Sequence, residues 1–360
     1  MIDALKQLLQ ELTSLDGPPG FEQPVVRYLA AAFQETGATV MVDPMGNLYA
    51  RLGDPTARPH LMLSAHSDEI AGIVRYISPA GFLWIDPLGG LIASALVAQR
   101  VRVAGNLGVV GMRPGHLQTP DERLRVPPVQ ELFIDVGASS AAEVAAMNIR
   151  VGSPVTYLTT LASFTNSSRV TGKAIDNRLG CAVLLLLFRA LKRREIGGRL
   201  TALIAVQEEV GLRGAKVGAY RVQPDYAIVL DTLPVADTPG VSESRMPGAI
   251  GRGPVLVITA SSGTSGLGHI AHPRVQAWLE TAADTAGVAV QFATSIGVAV
   301  TDAANIHTSR EGIPTGVVGF PRRYSHSPIC MFDLNDGVES IRLLQQFVDD
   351  MPQHTDFSFL

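Results

Sequence analysis

Three nearly continuous apolar runs constrain this chain more than anything else in it: residues 61–65 (LMLSA), 200–206 (LTALIAV) and 226–230 (YAIVL). Runs this short, without polar alternation, fit strands covered on both faces, which requires layers of helix on either side. Residues 317–320 read as a further strand. Amphipathic spacing predicts helices over residues 2–15, 23–34, 179–195 and 338–349, with Gly37 closing the second and Gly197-Gly198 ending the third. Residues 39–52 read as two strands around a Pro/Gly/Asn turn. Strands alternating with helices point to a three-layer α/β/α sandwich.

That alternation breaks between residues 71 and 166. IVRYISPAGFLWIDPLGG, LVAQRVRVAGNLGVVGM, ELFIDVG and GSPVTYLTT are short strand-like pieces punctuated by Gly and Pro, with one brief helical stretch, AAEVAAMN. The shift in composition predicts an inserted small β-barrel domain. Residues 1–70 and 167–360 would then form the main domain, and 71–166 the insert.

Each buried run is followed at once by residues that bind metals. His66 ends LMLSAH, Glu208-Glu209 follow LIAVQ, and Asp231 follows YAIVL; Asp176 stands before a predicted helix and His326 in the loop PRRYSH. Open α/β sheets bind ligands beyond the carboxyl ends of their strands, so one sheet edge can gather this set. Two imidazoles and three carboxylates are too many ligands for one tetrahedral ion, but they suit two ions that share a carboxylate. Asp176, Glu209 and Asp231 drawn together without cations would repel one another strongly, and two divalent ions relieve that. Zinc fits the mixed His/carboxylate set, as do cobalt and manganese. Asp68, two residues after His66, can accept the second imidazole N–H and set its tautomer.

Each residue also has a plain structural reading. Asp176 can be a helix N-cap, Glu208-Glu209 a solvated strand end, His66-Asp68 a satisfied pair, and Asp231 and His326 loop formers. Their joint placement outweighs those readings. His307, Thr301 and Asp302 are candidates for the substrate pocket or for loop capping, with neither reading ahead.

The segments AHSDEI, GKAIDNRLGCAV, VQEEVGLRGA, VLDTLPVADTPG, IGRGPVL, REGIPT and PRRYSHSP run along nearly the whole chain. In that order they resemble the tetrahedral aminopeptidases, a family of dinuclear zinc metallopeptidases that includes glutamyl aminopeptidases and proteins once labelled endoglucanases. The resemblance implies that Asp176 bridges two ions, that His66 and Asp231 complete one site, and that Glu209 and His326 complete the other. It makes Glu208 the general base and Asp68 the residue that orients His66. It also implies a zinc-peptidase fold with a barrel used for dimerisation, and dimers assembled into a tetrahedral dodecamer. Asn177 departs from the aspartate many relatives carry there, and the small-residue tract Ser261 to His269 leaves substrate preference open. The expected activity is removal of N-terminal residues from short peptides by a metal-activated water, with Glu208 carrying the proton. A related deacylase or carboxypeptidase-like amidohydrolase is the alternative, and a glycan-binding or non-enzymatic scaffold a remote one.

Composition excludes other classes. A net charge of −4 offers no field for a nucleic-acid backbone, and the run Lys192-Arg193-Arg194 falls where a helix is expected to end, a place that suits cations. Aromatic residues make up only 6%, sparse for a sugar cleft. The N-terminus lacks a signal-peptide core and no apolar stretch approaches a membrane span, so a cytoplasmic chain is expected. Cys181 and Cys330 read as buried free thiols. Gly105, Gly108 and Gly111 read as turn glycines, and His269 and His272 as part of a surface loop.

Overall fold

The structure, a computed structural model, describes all residues except Asn166, Thr264-Ser265 and Phe359-Leu360. Asn166, at the expected end of the insert, and two residues of the 261–269 tract therefore lie outside the described residues.

Four parallel strands form the centre of a nine-stranded sheet. They lie in the order Arg199–Ala205, His60–His66, Tyr226–Pro234 and Thr315–Arg322. Antiparallel strands Thr39–Val42 and Leu48–Leu52 extend one side. Val255–Ser261 extends the other, flanked by Gly268–Ile270 and Gln291–Ile296. Side chains alternate between two cores, as the apolar runs require. Leu61, Leu63, Ala202, Ile204, Ile228 and Leu230 face a large core shared with helices Ile2–Ser14, Gln23–Gln34, Ile175–Leu191, Pro273–Ala286 and Leu334–Asp349. Met62, Leu203, Ala205, Ala227 and Val229 face a thinner one under Arg213–Val222 and Ala303–Ile306. This is the three-layer sandwich that the patterning predicts.

The Gly/Pro-rich segment forms a closed six-stranded barrel. Its strands, Ala71–Ile77, Leu83–Leu88, Phe133–Asp135, Asn106–Gly111, Arg100–Val103 and Pro154–Tyr157, close around a core of their own that includes Val74, Ile85, Val101, Val110, Ile134 and Val155. Gly105 is a turn glycine, but Gly108 and Gly111 are strand positions that leave room for Ile134 and Phe133.

Polar clamps join the barrel to the sandwich. Asp16 accepts hydrogen bonds from Arg102 at 2.8 Å and Thr156 at 2.9 Å, both on barrel strands. Beside it, buried Lys173 reaches both oxygens of buried Glu69 at 2.9 Å, and Arg178 donates to the carbonyls of Leu12 and Ser67. Among the described residues, no helix is long and apolar enough to cross a membrane, and both cysteines are buried and unpaired.

His269 differs from its expected surface position. It lies in the short Gly268–Ile270 strand and is 2% exposed, because that strand pairs with Val255–Ser261. Burial pushes its pKa down to about 4.

His60 opens a central strand, fully buried, with Nε2 2.8 Å from Thr201 Oγ1. Burial, then the nearby Arg199 charge, lowers its pKa to about 3. The folded state therefore binds His60's proton more weakly than the unfolded chain does. Its contribution is intact above the unfolded value near 6.5 and is lost as pH falls toward 3. At pH 5 this one residue should cost about 2 kcal/mol relative to pH 7. Denaturant titrations at the two pH values should show that loss shrinking in His60→Gln, and an unchanged loss would contradict the assignment.

Candidate metal centre

The parallel register brings the predicted residues to one edge. Ala205 pairs with His66, so the chain leaving the first of these strands passes through Gln207 to Glu208 and Glu209 beside the histidine. Val229 pairs with Ser64, which sets Asp231 level with His66, and both share the parity of the thinner core. The fourth strand ends at Arg322, and the following loop carries His326 back to the edge.

Asp176 occupies the middle. Its Oδ1 lies 3.3 Å from His66 Nε2 and its Oδ2 3.6 Å from His326 Nε2, so each oxygen faces a different imidazole. His66 Nε2 is also 3.7 Å from Asp231 Oδ1 and 3.9 Å from Glu208 Oε2. His326 Nε2 is 3.6 Å from Glu209 Oε2. Ligands about 2.1 Å from a tetrahedral ion sit about 3.4 Å apart, so these spacings suit closure around ions with small shifts. Two groups satisfy that geometry, His66–Glu208–Asp231 and Asp176–Glu209–His326, each with its ligand atoms within 4.8 Å of one another. Asp176 Oδ1 and Glu209 Oε1 are buried without a hydrogen-bond donor, which fits oxygens able to bind a cation.

Local sequence explains how Asp176 is spared from capping its helix. Asn177 does the capping instead, since its Oδ1 accepts from Gly180 N at 3.0 Å and its Nδ2 donates to the Leu230 carbonyl at 2.8 Å. The departure at Asn177 thus has a structural use, and Asp176 keeps both oxygens for the centre. Asp68 is fully buried. It accepts from Glu208 N and Glu209 N at 3.0 Å each, and its Oδ1 lies 3.4 Å from His66 Nδ1 without an aligned hydrogen bond. One carboxylate therefore holds the backbone of both glutamates and faces the histidine. Gln207, Leu212, Ala174 and His326 all have left-handed backbone, near φ 55°, so strained conformations cluster around the site.

The electrostatics match the crowding. Burial, then the charges of Asp231, Glu209 and Asp302, raises Glu208 well above the usual carboxylate range. Burial and Asp176 raise Glu209 to about 7, and burial raises Asp231. Burial opposes charge on His66, but Glu208, Asp176 and Asp231 outweigh it and hold the imidazole well above its ordinary value. Asp176 goes the other way: burial disfavours its charge, while Arg322 and the two histidines keep it ionised. The Arg322 guanidinium is buried, with Nη1 2.5 Å from Asp176 Oδ2. Neither Arg322 nor Gly90 stands out in the sequence. Gly90 lies in the loop after the Leu83–Leu88 barrel strand, and a Cβ there would fall 2.1 Å from His326 Nδ1. The barrel thus shapes the centre directly.

The remaining candidates sit to one side. Asp302 is 1% exposed, both its oxygens lack hydrogen-bond donors, and burial pushes it up to about 8. Thr301 Oγ1 accepts from Ala303 N at 3.3 Å, and His307 Nδ1 lies 2.8 Å from the Ala303 carbonyl, which are local capping contacts. The cavity above the centre, about 380 Å³, is walled by Val298-Ala299-Val300 just before them and not by Thr301, Asp302 or His307.

Comparisons with known proteins place the chain among aminopeptidases. A family model described as M42 glutamyl aminopeptidase matches residues 46–343. The glutamyl aminopeptidase of Lactococcus lactis is 30% identical over 350 residues, covering 95% of each chain. Aminopeptidase APDkam598 from the archaeon Desulfurococcus kamchatkensis superposes with a TM-score of 0.90 at 34% identity, covering 98% of this chain and 96% of its own. The TET1 peptidase of Pyrococcus horikoshii, described as assembling into a tetrahedron or a large octahedral shell, superposes at 0.84 with 26% identity, covering 96% of this chain and 99% of its own.

Gly90→Ala should push the His326 ring away from Asp176 and Glu209. Divalent-ion content, measured after dialysis, should fall relative to the unaltered chain. Full retention would show that His326 has room to spare.

Proposed function

The chain belongs to the M42 glutamyl aminopeptidase family and is a peptide-bond hydrolase, and from that premise we propose that it trims N-terminal residues from short peptides at a centre for two divalent ions. In this reading Asp176 is shared, His66 and Asp231 complete one site, and Glu209 and His326 complete the other. Zinc is the first choice of ion, with cobalt or manganese able to serve. Bound ions would lower the pKa of a water and polarise the scissile carbonyl.

The observation that carries this reading is Asp176, whose two oxygens face the two histidines at 3.3 and 3.6 Å. The chain's own residues do the rest. Glu208, at the mouth of the sheet, takes the proton of the attacking water and returns it to the leaving amine. Asp68 keeps Glu208 and Glu209 in register through their backbone amides, and faces His66 Nδ1. Carboxylates at the centre also receive the free α-amino group of the substrate, which restricts cleavage to the first residue. Arg322 stays beside Asp176 and keeps that carboxylate ionised.

Geometry alone also groups Glu208 with His66 and Asp231. A proton-transfer residue and a ligand give different results on substitution. Glu208→Gln should leave ion content near that of the unaltered chain while kcat on aminoacyl anilides falls roughly 10²- to 10⁴-fold. Asp176→Asn should lose bound ions. Loss of ions in Glu208→Gln would make Glu208 a ligand, and retained turnover would remove it from the chemistry. N-acetylated anilides should not be cleaved at all.

The assembly follows the same family. A cytoplasmic homo-oligomer of twelve chains, built from dimers through the barrel, is the proposed state, in keeping with a related structure described as a dodecamer. Mass photometry should find a twelve-chain particle, and a stable dimer would contradict it.

A further inference from the structure

We infer that this enzyme selects peptides with an uncharged, apolar first residue, such as Leu or Met, over peptides that begin with Glu or Lys. The inference rests on the aminopeptidase reading and concerns the wall of the same cavity. A substrate whose amino group and scissile carbonyl sit at the centre must place its first side chain in the remainder of the 380 Å³ space. Outside the centre itself and Arg322, no described residue lining that space carries an ionisable group. The apolar wall is made by Leu212, Pro234, Leu267, Val298, Ala299 and Val300.

Several observations mark this wall as a built surface. Leu212, three residues after Glu209, is buried in a left-handed backbone conformation. The segments that carry Leu267 and Val298 are tied together, because Gly297 N donates to the Ser261 carbonyl at 2.8 Å. Leu267 and Val298 are nevertheless 41% and 39% exposed, an apolar rim turned toward the cavity mouth. Thr232 adds a buried hydroxyl without a hydrogen-bond partner, which is polar but uncharged.

A Glu or Lys side chain would lose water there without gaining a counter-charge, and an unpaired charge is rejected far more strongly than a missing methylene. Arg322 has the charge to attract a carboxylate, but its guanidinium is buried and already paired with Asp176. The carboxylates that have the charge to attract an ammonium belong to the proposed ligand set.

The test uses the full chain loaded with zinc and the p-nitroanilides of Leu, Met, Ala, Glu and Lys. The kcat/KM for Leu and Met should exceed that for Glu and Lys by about 100-fold. A Glu or Lys value within about tenfold of Leu would overturn the specificity while leaving the aminopeptidase reading intact. Turnover of none of the five would overturn both. Calorimetry of the zinc-loaded Glu208→Gln protein gives a readout independent of turnover: Leu-Gly-Gly should bind at least about tenfold more tightly than Glu-Gly-Gly or Lys-Gly-Gly, and equal affinities would contradict the inference. Val300→Asp places a carboxylate on the wall and should raise the Lys-to-Leu ratio of kcat/KM at least about tenfold. An unchanged ratio would contradict the wall assignment.

Discussion

Four carboxylates, Asp176, Glu208, Glu209 and Asp231, crowd around two histidines at the carboxyl edge of the central sheet, largely out of water, and buried Asp302 to one side adds to their charge. Such a cluster is self-repelling, and most of the local architecture can be understood as holding it together. Asp68 spends both oxygens on the amides of Glu208 and Glu209. Asn177 caps its helix so that Asp176 need not, and Arg322 supplies a buried positive charge beside Asp176. One guanidinium and two imidazoles do not balance the set, which is why a site for divalent cations is the natural reading of the geometry.

The barrel is more than an appendage. Its core is separate from the two cores of the sandwich, yet it reaches the centre through Gly90, whose missing side chain admits His326. Asp16 grips two barrel strands from the loop between the first two helices. Lys173, Glu69 and Arg178 form a buried network where the barrel joins the sandwich, a few residues from His66 and Asp176.

Much of this was legible in the sequence because the controlling signals are local. Uninterrupted apolar runs announce doubly covered strands, and a ligand residue directly after each run lands on one edge in any parallel sheet. The expected helices and the barrel appear at or near their predicted residues. Helix Arg213–Val222 carries little signal because its buried face is mostly small, Gly214, Ala215, Gly218 and Ala219, with Val222 the one larger apolar residue. His269 was misplaced because a three-residue strand leaves no periodicity to read. Arg322 lies within the PRRYSHSP segment with nothing there to mark its buried pairing with Asp176, and Gly90 carries no local signal. An arginine at a strand end and a glycine in a loop gain meaning only from what the fold brings beside them.

The sharing of Asp176 between two ions underlies every role proposed for the centre. Anomalous diffraction from crystals grown with zinc tests it directly. Two peaks about 3.5–4 Å apart are predicted, one beside His66 and Asp231, the other beside Glu209 and His326, with an oxygen of Asp176 on each. A single peak, or two peaks that do not share Asp176, would contradict that arrangement.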